Sequence, residues 1–364
     1  MTAVRPVELG DIPAIVRLFE RVFPNHGWTS RSACEAYFRE VFFESPCRDD
    51  SLPSWLAEDA GQAVGFCGIL PRRMEFRGQS ISVAVGTTFM VDPDRRNSLA
   101  AMRLLTAYLS GPQDLTFADG ATDQARNLWI RAGGHAPLGY NLHWLRPLRP
   151  ARQILAMLGA RGAIPRVLRY GLQPFAAAVD LLAARLPPNK MLRDSEDLST
   201  AAALEPADVV AEFRSMVHGK ALVPVYEQSV VEWLFEHAVS RAAHGSFRAR
   251  RVVAQGRGIC GWYVYYVRRG SVGEVVQLCA RPGAYDTVLA HLLADAWRQG
   301  ATAVRGRLDP DRALELADRH CWLRWDGPAT LVHSRHPEIV DAILRGDAFF
   351  SRFEGEWWLR FLRP

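Results

Sequence analysis

The order of the predicted strands and helices constrains this chain more than any other feature of its sequence. Over residues 1–147 the spacing of apolar residues predicts the order β-α-α-β-β-β-α-β-α-β. Three strands joined by short turns and followed by single helix–strand steps are typical of a mixed sheet, not of a doubly wound parallel sheet. We therefore expect an α/β fold whose sheet is of the mixed, α+β type.

The same order of elements returns in the second half of the chain without similarity of sequence. At 364 residues the chain is long for one domain, and a period of roughly 170 residues indicates a diverged internal repeat. We predict a first domain over residues 1–147, a helical linker over 148–197 and a second, degenerate copy over 198–364. The aromatic segment at residues 352–361 is predicted to be a final strand that seals the core.

Composition narrows the class of protein. Hydrophobic residues make up 49% of the chain and charged residues 23%, which is ordinary for a soluble globular protein. The net charge of +5 comes mostly from arginine, which favours anionic partners such as phosphates or acidic surfaces. This charge is too weak and too dispersed to predict a nucleic-acid partner.

The cysteines and the N-terminal segment indicate the cellular compartment in which the protein is expected. Six cysteines lie far apart with no CxxC pair, which argues against a zinc site and a disulfide scaffold and for a reducing compartment. The first residues include Arg5, Glu8 and Asp11 and lack the apolar core of a signal peptide. No apolar run reaches the ~20 residues that span a bilayer. We expect a cytoplasmic protein without a metal.

The segment VDPDRRNSLAAMRLL, from Val91 to Leu105, is typical of a loop that leads into a helix and binds a pyrophosphate. It fits the frame V-x-P-x-x-R-x-x-G-x-G/A at four positions, which are Val91, Pro93, Arg96 and Ala101. Leu99 stands where the first glycine is expected, whereas a register from Arg95 through Ser98 to Ala100 places a small residue there. A leucine keeps the backbone N–H groups but narrows the approach to them.

A second motif lies in TDQARNLWIRAGG, which begins at Thr122. It fits N-x-x-A-x-x-L-Y-x-x-x-G-F at Ala125, Leu128 and Gly133. Thr122 replaces the asparagine and still caps a helix. Trp129 replaces the tyrosine, and the glycine at 134 replaces the aromatic residue.

By these two motifs and their spacing, residues 1–147 resemble the GCN5-related N-acetyltransferase (GNAT) superfamily, and the whole chain resembles its tandem two-domain members by architecture. The resemblance implies an acyl-CoA-dependent N-acyltransferase. Such an enzyme moves an acyl group, typically acetyl, from acyl-CoA to an amine of a small-molecule, sugar or amino-acid acceptor.

The resemblance also implies where acyl-CoA binds. Backbone groups of Phe89 to Val91 would pair with the pantetheine arm as an added strand. A helix that begins near Asn97 would direct its N–H groups at the pyrophosphate, assisted by arginine side chains. The implied cofactor-binding residues are Phe89, Met90, Val91, Arg95, Arg96, Asn97, Ser98, Leu99, Ala100, Ala101 and Trp129.

Transfer to an amine needs a base, an oxyanion donor and an acid for the leaving thiolate. Asp119, predicted at the end of its strand, is the first candidate base, and its alternative role is to cap the turn that follows. Tyr140 and His143 on the predicted last strand are second candidates. A backbone N–H near Met90 would be the oxyanion donor. Trp129 stands at the acid position, and because indole is not a useful acid, solvent would protonate the thiolate.

Residues 149–193 carry many basic residues and the single acid Asp180. One interpretation is a helix pair that packs its apolar stripe on a domain. The other is a surface that docks an acidic carrier protein or an anionic membrane. The second would suit a transferase that depends on acyl carrier protein or on an aminoacyl donor. Loss of chemistry in both copies would leave a binding or scaffold protein.

Replacing Arg96 with alanine should weaken acyl-CoA binding by about 1–3 kcal/mol, because a charge-assisted contact to phosphate is lost. The same change at Arg281, at the corresponding position of the second half, should have little effect. Isothermal titration calorimetry measures both, and the reverse result would mean that the active half is the second one.

Overall fold

The computed structural model describes residues 2–24, 27–28, 30–95, 99–160, 165–183, 185, 199–241, 244–254 and 258–359. Its strands are β1 (Ala3–Pro6), β2 (Trp55–Asp59), β3 (Gln62–Phe76), β4 (Gln79–Val91), β5 (Leu115–Ala121), β6 (His143–Pro147), β7 (Ser199–Ala203), β8 (Leu222–Pro224), β9 (Ser246–Ala254), β10 (Gly258–Val267), β11 (Val272–Ala280), β12 (Ala303–Arg307), β13 (Trp322–Arg324) and β14 (Ala329–His333).

The α-helices are α1 (Ile12–Val22), α2 (Arg31–Phe43), α3 (Ala100–Leu109), α4 (Asp123–Arg131), α5 (Leu138–Asn141), α6 (Pro150–Ala160), α7 (Arg166–Ala183), α8 (Pro206–Met216), α9 (Gln228–Val239), α10 (Tyr285–Arg298), α11 (Ala313–Asp318) and α12 (Pro337–Leu344). None of the described helices is long and apolar enough to cross a membrane.

The chain folds into two compact units that are not contiguous in sequence. Unit 1 contains Met1–Asn141, Lys220–Ala238 and Gly327–Pro364, and unit 2 contains Leu142–Gly219 and Val239–Asp326. Each unit has one mixed sheet, and these two sheets match the predicted fold class.

The sheet of unit 1 has the order β1-β2-β3-β4-β5-β14, with β8 paired to the end of β3. Among the pairs seen in this sheet, β4 with β5 is the parallel one, and the others are antiparallel. Unit 2 repeats the arrangement as β7-β9-β10-β11-β12-β6-β13, with β11 parallel to β12.

This division differs from the predicted boundaries at residues 147 and 198. β6, predicted to close the first sheet, pairs with β12 and β13 in the sheet of unit 2. β14, from the second half of the sequence, pairs with β5 in unit 1. Each sheet therefore takes a strand from the other half of the sequence, because sheet pairing is decided by long-range contacts and not by order along the chain.

Local signals place the helices of unit 1. The Ser30 hydroxyl accepts a hydrogen bond from the Ala33 N–H at the start of α2, and Thr122 caps α4 through the Ala125 N–H, as the sequence predicted. α3 packs Leu104, Leu105 and other apolar residues into the core on one face of the sheet.

Aromatic side chains pack against Phe117 and α9 in unit 1. Phe350 stacks on Phe117 with ring centroids 4.8 Å apart, and Phe353 stacks on Phe235 at 5.6 Å. Trp358, fully buried, contacts Trp233 edge to face at 4.9 Å. These contacts hold residues 347–359 against the unit, and we call this segment the tail.

The end of the tail, residues 352–359, forms turns, so the predicted final strand is wrong. Side chains satisfy backbone groups that a strand would have paired across a sheet. The Ser351 N–H donates to the Glu354 carboxylate at 2.5 Å, and the Trp358 indole donates to the Gly355 carbonyl at 2.8 Å. The aromatic content of the segment suggested a strand, but these local bonds determine the conformation.

Part of the basic segment at 149–193 is structural. Asp180 on α7 accepts the N–H groups of Ala151 and Arg152 at 2.8 and 3.3 Å, which caps α6. Arg149 donates to carbonyls of Trp297 and Ala301, and burial lowers its pKa. Arg161, Lys190 and Arg193 lie outside the described residues, as do the side chains of Arg166 and Arg169. The docking surface stays a prediction.

We expect Gly86→Ala to destabilise the protein by about 1–3 kcal/mol, the usual cost of overpacking a core. A Cβ at Gly86 would lie 2.6 Å from the Tyr108 hydroxyl and 2.8 Å from its ring. The control is Gly10→Ala, where a Cβ meets nothing within 4 Å. Urea denaturation followed by circular dichroism compares the two, and equal stability of both variants would contradict the packing of Tyr108 at this point.

Candidate functional site

A gap opens between β4 and β5 in unit 1. The two strands pair in parallel over Val83–Val85 and 115–117, and no pairing continues beyond Val85 in the part of the chain that the structure describes. The buried Tyr108 hydroxyl lies at this point and contacts the Ala84 and Phe117 carbonyls at 2.9 and 2.8 Å. Burial raises the pKa of Tyr108 well above its ordinary value, so the phenol stays neutral and holds the two strands together where the gap begins.

A β-bulge in β4 shapes the gap. Between the paired positions Phe66–Met90 and Gly68–Thr87, β4 advances by one more residue than β3. Thr88 within the bulge has a φ of 50°, a conformation that costs a β-branched residue about 1–3 kcal/mol. Bulges redirect backbone groups near functional sites, and here the Thr88 N–H points to a side chain from the tail.

That side chain is Glu356. Its Oε2 accepts a hydrogen bond from the Thr87 hydroxyl at 2.5 Å and one from the Thr88 N–H at 3.3 Å. Glu356 is only partly buried, whereas Thr87 is almost fully buried. The tail therefore places a carboxylate on β4 just beyond the last residue that pairs with β5.

A second carboxylate fixes the first. The Glu356 N–H donates to Asp119 Oδ1 at 2.7 Å. A Cβ on Gly120 would lie 1.9 Å from Glu356 Oε1, and a Cβ on Gly355 would lie 2.0 Å from the Asp119 carboxyl carbon. The Glu356 carboxylate thus lies against Gly120, the neighbour of Asp119, and the Asp119 carboxylate lies against Gly355, the neighbour of Glu356. A larger residue at either glycine would push the two side chains apart.

Asp119 was predicted at the open end of the sheet, and it does lie beside the gap. It is part of β5 and not of the turn after it, since the strand continues to Ala121. Its side chain is buried and bonds to the Glu356 backbone. Its role as the base stays a prediction. In the structure its carboxylate accepts the Glu356 N–H, and this bond orients Glu356.

Tyr140 lies in the short helix α5, not on a strand. Its hydroxyl donates to the Ala348 carbonyl at 2.6 Å and accepts from the Ala348 N–H at 3.1 Å, so it secures the start of the tail. His143 begins β6 and is buried in the sheet of unit 2, whereas Asp119 and Tyr140 belong to unit 1.

The predicted acyl-CoA residues lie along β4 and the start of α3. Met90 and Val91 pair with Phe66 and Gly65 of β3 on one edge, and with Phe89 they follow the last residue paired to β5. Leu99, next to the first residue of α3, is 67% exposed, so it does not enter the core in place of glycine.

The other predicted acyl-CoA residues around this loop differ in their surroundings. Ala100 is buried and Ala101 partly buried in the first turn of α3, while Arg95 forms an ion pair with Asp59 at 3.1 Å. Arg96, Asn97 and Ser98 lie outside the described residues.

Trp129 is a core residue in this structure. It is buried and meets the Tyr108 ring edge to face at 5.7 Å. Trp129, at the position where the family motif has a tyrosine, therefore packs α4 against α3. Because Trp129 stands where the motif has a tyrosine, this position supplies no acid to the gap.

The corresponding loop of unit 2 is shorter and its arginine is occupied. Arg281 donates to Glu212 at 2.5 Å and to the Ile259 carbonyl at 2.8 Å. The loop passes directly into α10 at Tyr285, whose burial raises its pKa well above the ordinary value. Unit 2 thus has the same kind of sheet, but the guanidinium of Arg281 is already bonded to Glu212 and to the Ile259 carbonyl.

The sequence pattern missed Glu356, Thr87, Thr88 and Tyr108. The neighbouring Glu354 is buried and accepts a hydrogen bond from the Tyr226 hydroxyl. The glycines at 120 and 355 were the available signal, because each lies beside a carboxylate. In the described ranges no three histidine, cysteine, aspartate or glutamate residues gather as metal ligands.

The first part of the chain matches a known family model. Residues 3–112 match the family model described as the acetyltransferase (GNAT) domain. No curated protein matches the chain in sequence.

Solved structures share the fold over nearly the whole chain. A conserved protein of Enterococcus faecalis V583, described as a probable N-acyltransferase, is 10% identical with a TM-score of 0.59, covering 92% of this chain and 73% of that one. GCN5-related N-acetyltransferases from Kribbella flavida (14% identity, 92% and 71% coverage, TM-score 0.56) and Anabaena variabilis (11%, 93% and 74%, 0.60) are similar. At these identities the likeness concerns the fold.

Gly120→Ala should release the Glu356 side chain, because the new Cβ would lie 1.9 Å from Oε1. Loss of the bonds to Thr87 and Thr88 should weaken the attachment of the tail by about 1–2 kcal/mol, seen as roughly tenfold faster hydrogen exchange in a peptide covering residues 349–359. Mass spectrometry of exchanged peptides measures this, with Gly10→Ala as control. Unchanged exchange in the tail would contradict the close approach.

Proposed function

We propose that this chain, whose residues 3–112 match the GNAT acetyltransferase domain model, transfers an acyl group from acyl-CoA to an amine in unit 1. One observation carries the proposal. β4 and β5 separate beyond Val85, and the carboxylate of Glu356 lies at this separation, fixed by Thr87, Thr88 and Asp119.

The donor would lie along the free part of β4. Beyond Val85 the strand has one edge on β3 and the other unpaired with β5, which suits an arm that binds as an added strand. The first turn of α3 follows, and the N–H groups at a helix start favour a pyrophosphate. Leu99, the residue before α3, is 67% exposed and does not enter the core.

The chemistry needs a group that takes a proton from the acceptor. The amine nitrogen attacks the thioester carbonyl carbon, the new C–N bond forms, and the C–S bond breaks with its electron pair leaving on sulfur. Glu356 accepts the proton from nitrogen, and water supplies a proton to the thiolate. The hydrogen bonds from Thr87 and Thr88 stabilise the ionised carboxylate, the form that acts as a base.

Asp119 would act on this step through Glu356. Its contact is to the Glu356 N–H, so it sets the position of the residue rather than taking the proton. A backbone N–H near Met90 would stabilise the oxyanion. Tyr108 does not serve as the acid, because its hydroxyl is bonded to strand carbonyls and its pKa is raised by burial.

Glu356→Gln keeps the size of the side chain and removes its basicity. We expect acyl transfer to slow by about 10²–10⁴-fold at neutral pH, the usual contribution of a general base. The loss should shrink at high pH, where more of the acceptor is already free amine. Acyl-CoA affinity, measured by calorimetry, should stay the same.

Asp119→Asn tests which carboxylate is the base. If Asp119 only positions Glu356, the asparagine oxygen still accepts the Glu356 N–H, and the rate should fall much less than in the Glu356 variant. A larger loss in the asparagine variant, with unchanged melting temperature, would move the base to Asp119. Full activity of both variants would end the proposed mechanism.

A further inference from the structure

Exposed apolar side chains are concentrated on the helix pair α6 and α7, which belongs to unit 2. Among the described residues 18 large apolar side chains are exposed, and eight of them lie between Ile154 and Leu182. Single exposed apolar residues are normal on a protein surface, whereas a contiguous group of them marks an interaction site. This helix pair is therefore the place to look for a partner.

The exposed side chains of α7 form a regular stripe. Its members are 36% to 71% exposed and follow one another at intervals of four, three, four and three residues: Leu168, Leu172, Phe175, Val179 and Leu182. This spacing places all five on one face of the helix. We call these five residues the α7 stripe. In a helix that packs on a protein core, such a face would be buried, and here it meets solvent.

α7 is attached to α6 by a different face. Ala176 and Asp180, one helical turn apart, are buried, and the Asp180 carboxylate caps α6. Ala176 follows Phe175 directly, so it lies about 100° further around the helix. The α7 stripe is thus not needed to hold the helix pair together.

The charge around the α7 stripe is of one sign. Residues 149–193 contain seven arginines and one lysine, and their single acid is the buried Asp180. Arg185, just beyond the end of α7, is exposed. An anionic membrane surface complements both features, because apolar side chains enter the boundary of the acyl chains while cations meet the lipid phosphates.

We infer that the α7 stripe and the basic residues around it bind the surface of an anionic membrane. α7, with 18 residues and a length of about 27 Å, lies in the plane of the membrane interface with its stripe toward the acyl chains. The surface belongs to unit 2, so this attachment does not depend on the acyl transfer proposed for unit 1.

A second copy of the chain fits the α7 stripe less well. Intervals of four and three residues also occur in coiled coils, but paired helices carry charges of both signs beside the seam. Two copies of this segment would bring arginines together. Pro174 lies inside α7, and a proline removes a helical hydrogen bond and bends the helix, which interrupts a continuous seam.

An acidic protein is also a poorer partner for this surface. Proteins that bind a basic amphipathic helix usually take it into a groove. α7 cannot be enclosed in this way while Ala176 and Asp180 are packed against α6. A flat surface such as a membrane needs only the exposed face.

Flotation with lipid vesicles tests the assignment. The wild type should bind vesicles of phosphatidylcholine and phosphatidylglycerol in equal parts, and should bind much less to phosphatidylcholine alone. Phe175→Ala combined with Leu182→Ala should weaken binding about 100-fold, or tenfold for each apolar side chain withdrawn from lipid. The melting temperature should stay nearly the same, because both side chains are exposed. Val239→Ala combined with Leu314→Ala, two exposed apolar residues elsewhere in unit 2, is the control and should bind like the wild type.

Arg185→Glu tests the contribution of charge. Binding to the anionic vesicles should weaken about 10- to 30-fold, because one attractive cation is lost and a repelled carboxylate replaces it. Arg345→Glu makes the same change of charge at an exposed arginine of unit 1 and should have little effect. Raising the salt concentration should reduce the difference between Arg185→Glu and the wild type.

Equal binding of the wild type to both kinds of vesicle, or equal binding of the wild type and the Phe175 and Leu182 double variant, overturns the membrane surface. Sedimentation that shows self-association of the wild type, lost in the double variant, also overturns it, because the α7 stripe is then an interface between copies. If an acyl carrier protein retains the wild type but not the double variant, and no vesicle is bound, the stripe belongs to a protein partner instead.

Discussion

The short parallel contact between β4 and β5 is the constraint on which the rest of unit 1 depends. Three residue pairs join the strands, at Val83–Leu115, Ala84–Thr116 and Val85–Phe117, and the strands separate after them. Tyr108 strengthens this contact from α3, at a position that only glycine at 86 allows. A longer contact would close the gap, and a weaker one would let β5, with β14 attached, move away from β4.

The polar groups of unit 1 follow from this geometry. A gap between strands leaves backbone N–H groups without a strand partner, and the tail supplies one acceptor in Glu356. Further along the same face the arrangement is reversed, because Arg72 offers N–H groups that no acceptor meets among the described residues. At one end of the face the Glu356 carboxylate accepts hydrogen bonds from Thr87 and Thr88. At the other end the Arg72 guanidinium has N–H groups without an acceptor among the described residues. Unit 2 keeps the sheet, but its Arg281 is paired with Glu212.

Local pattern predicted the elements well and their partners poorly. The strand order of the first half, the cap at Thr122 and the helix after the loop at 91–99 were readable because each depends on neighbours in sequence. The assignment of β6 to unit 2 was not, since a strand pattern does not specify which strand it pairs with. Glu356 and Asp119 are separated by 237 positions, and no periodicity connects them. A tail rich in aromatic residues suggested a strand, although its side chains fold it into turns.

Because β14 and the tail lie late in the sequence, unit 1 can be completed only near the end of synthesis. Domains usually fold in the order in which they leave the ribosome. Unit 1 departs from that order, because β1 to β5 emerge early but the strand that covers the edge of β5 emerges after residue 328. Until then β5 presents an open edge, a site for incorrect pairing. A chain interrupted before residue 356 would retain β4 and its loop but lack the carboxylate that contacts Thr87 and Thr88.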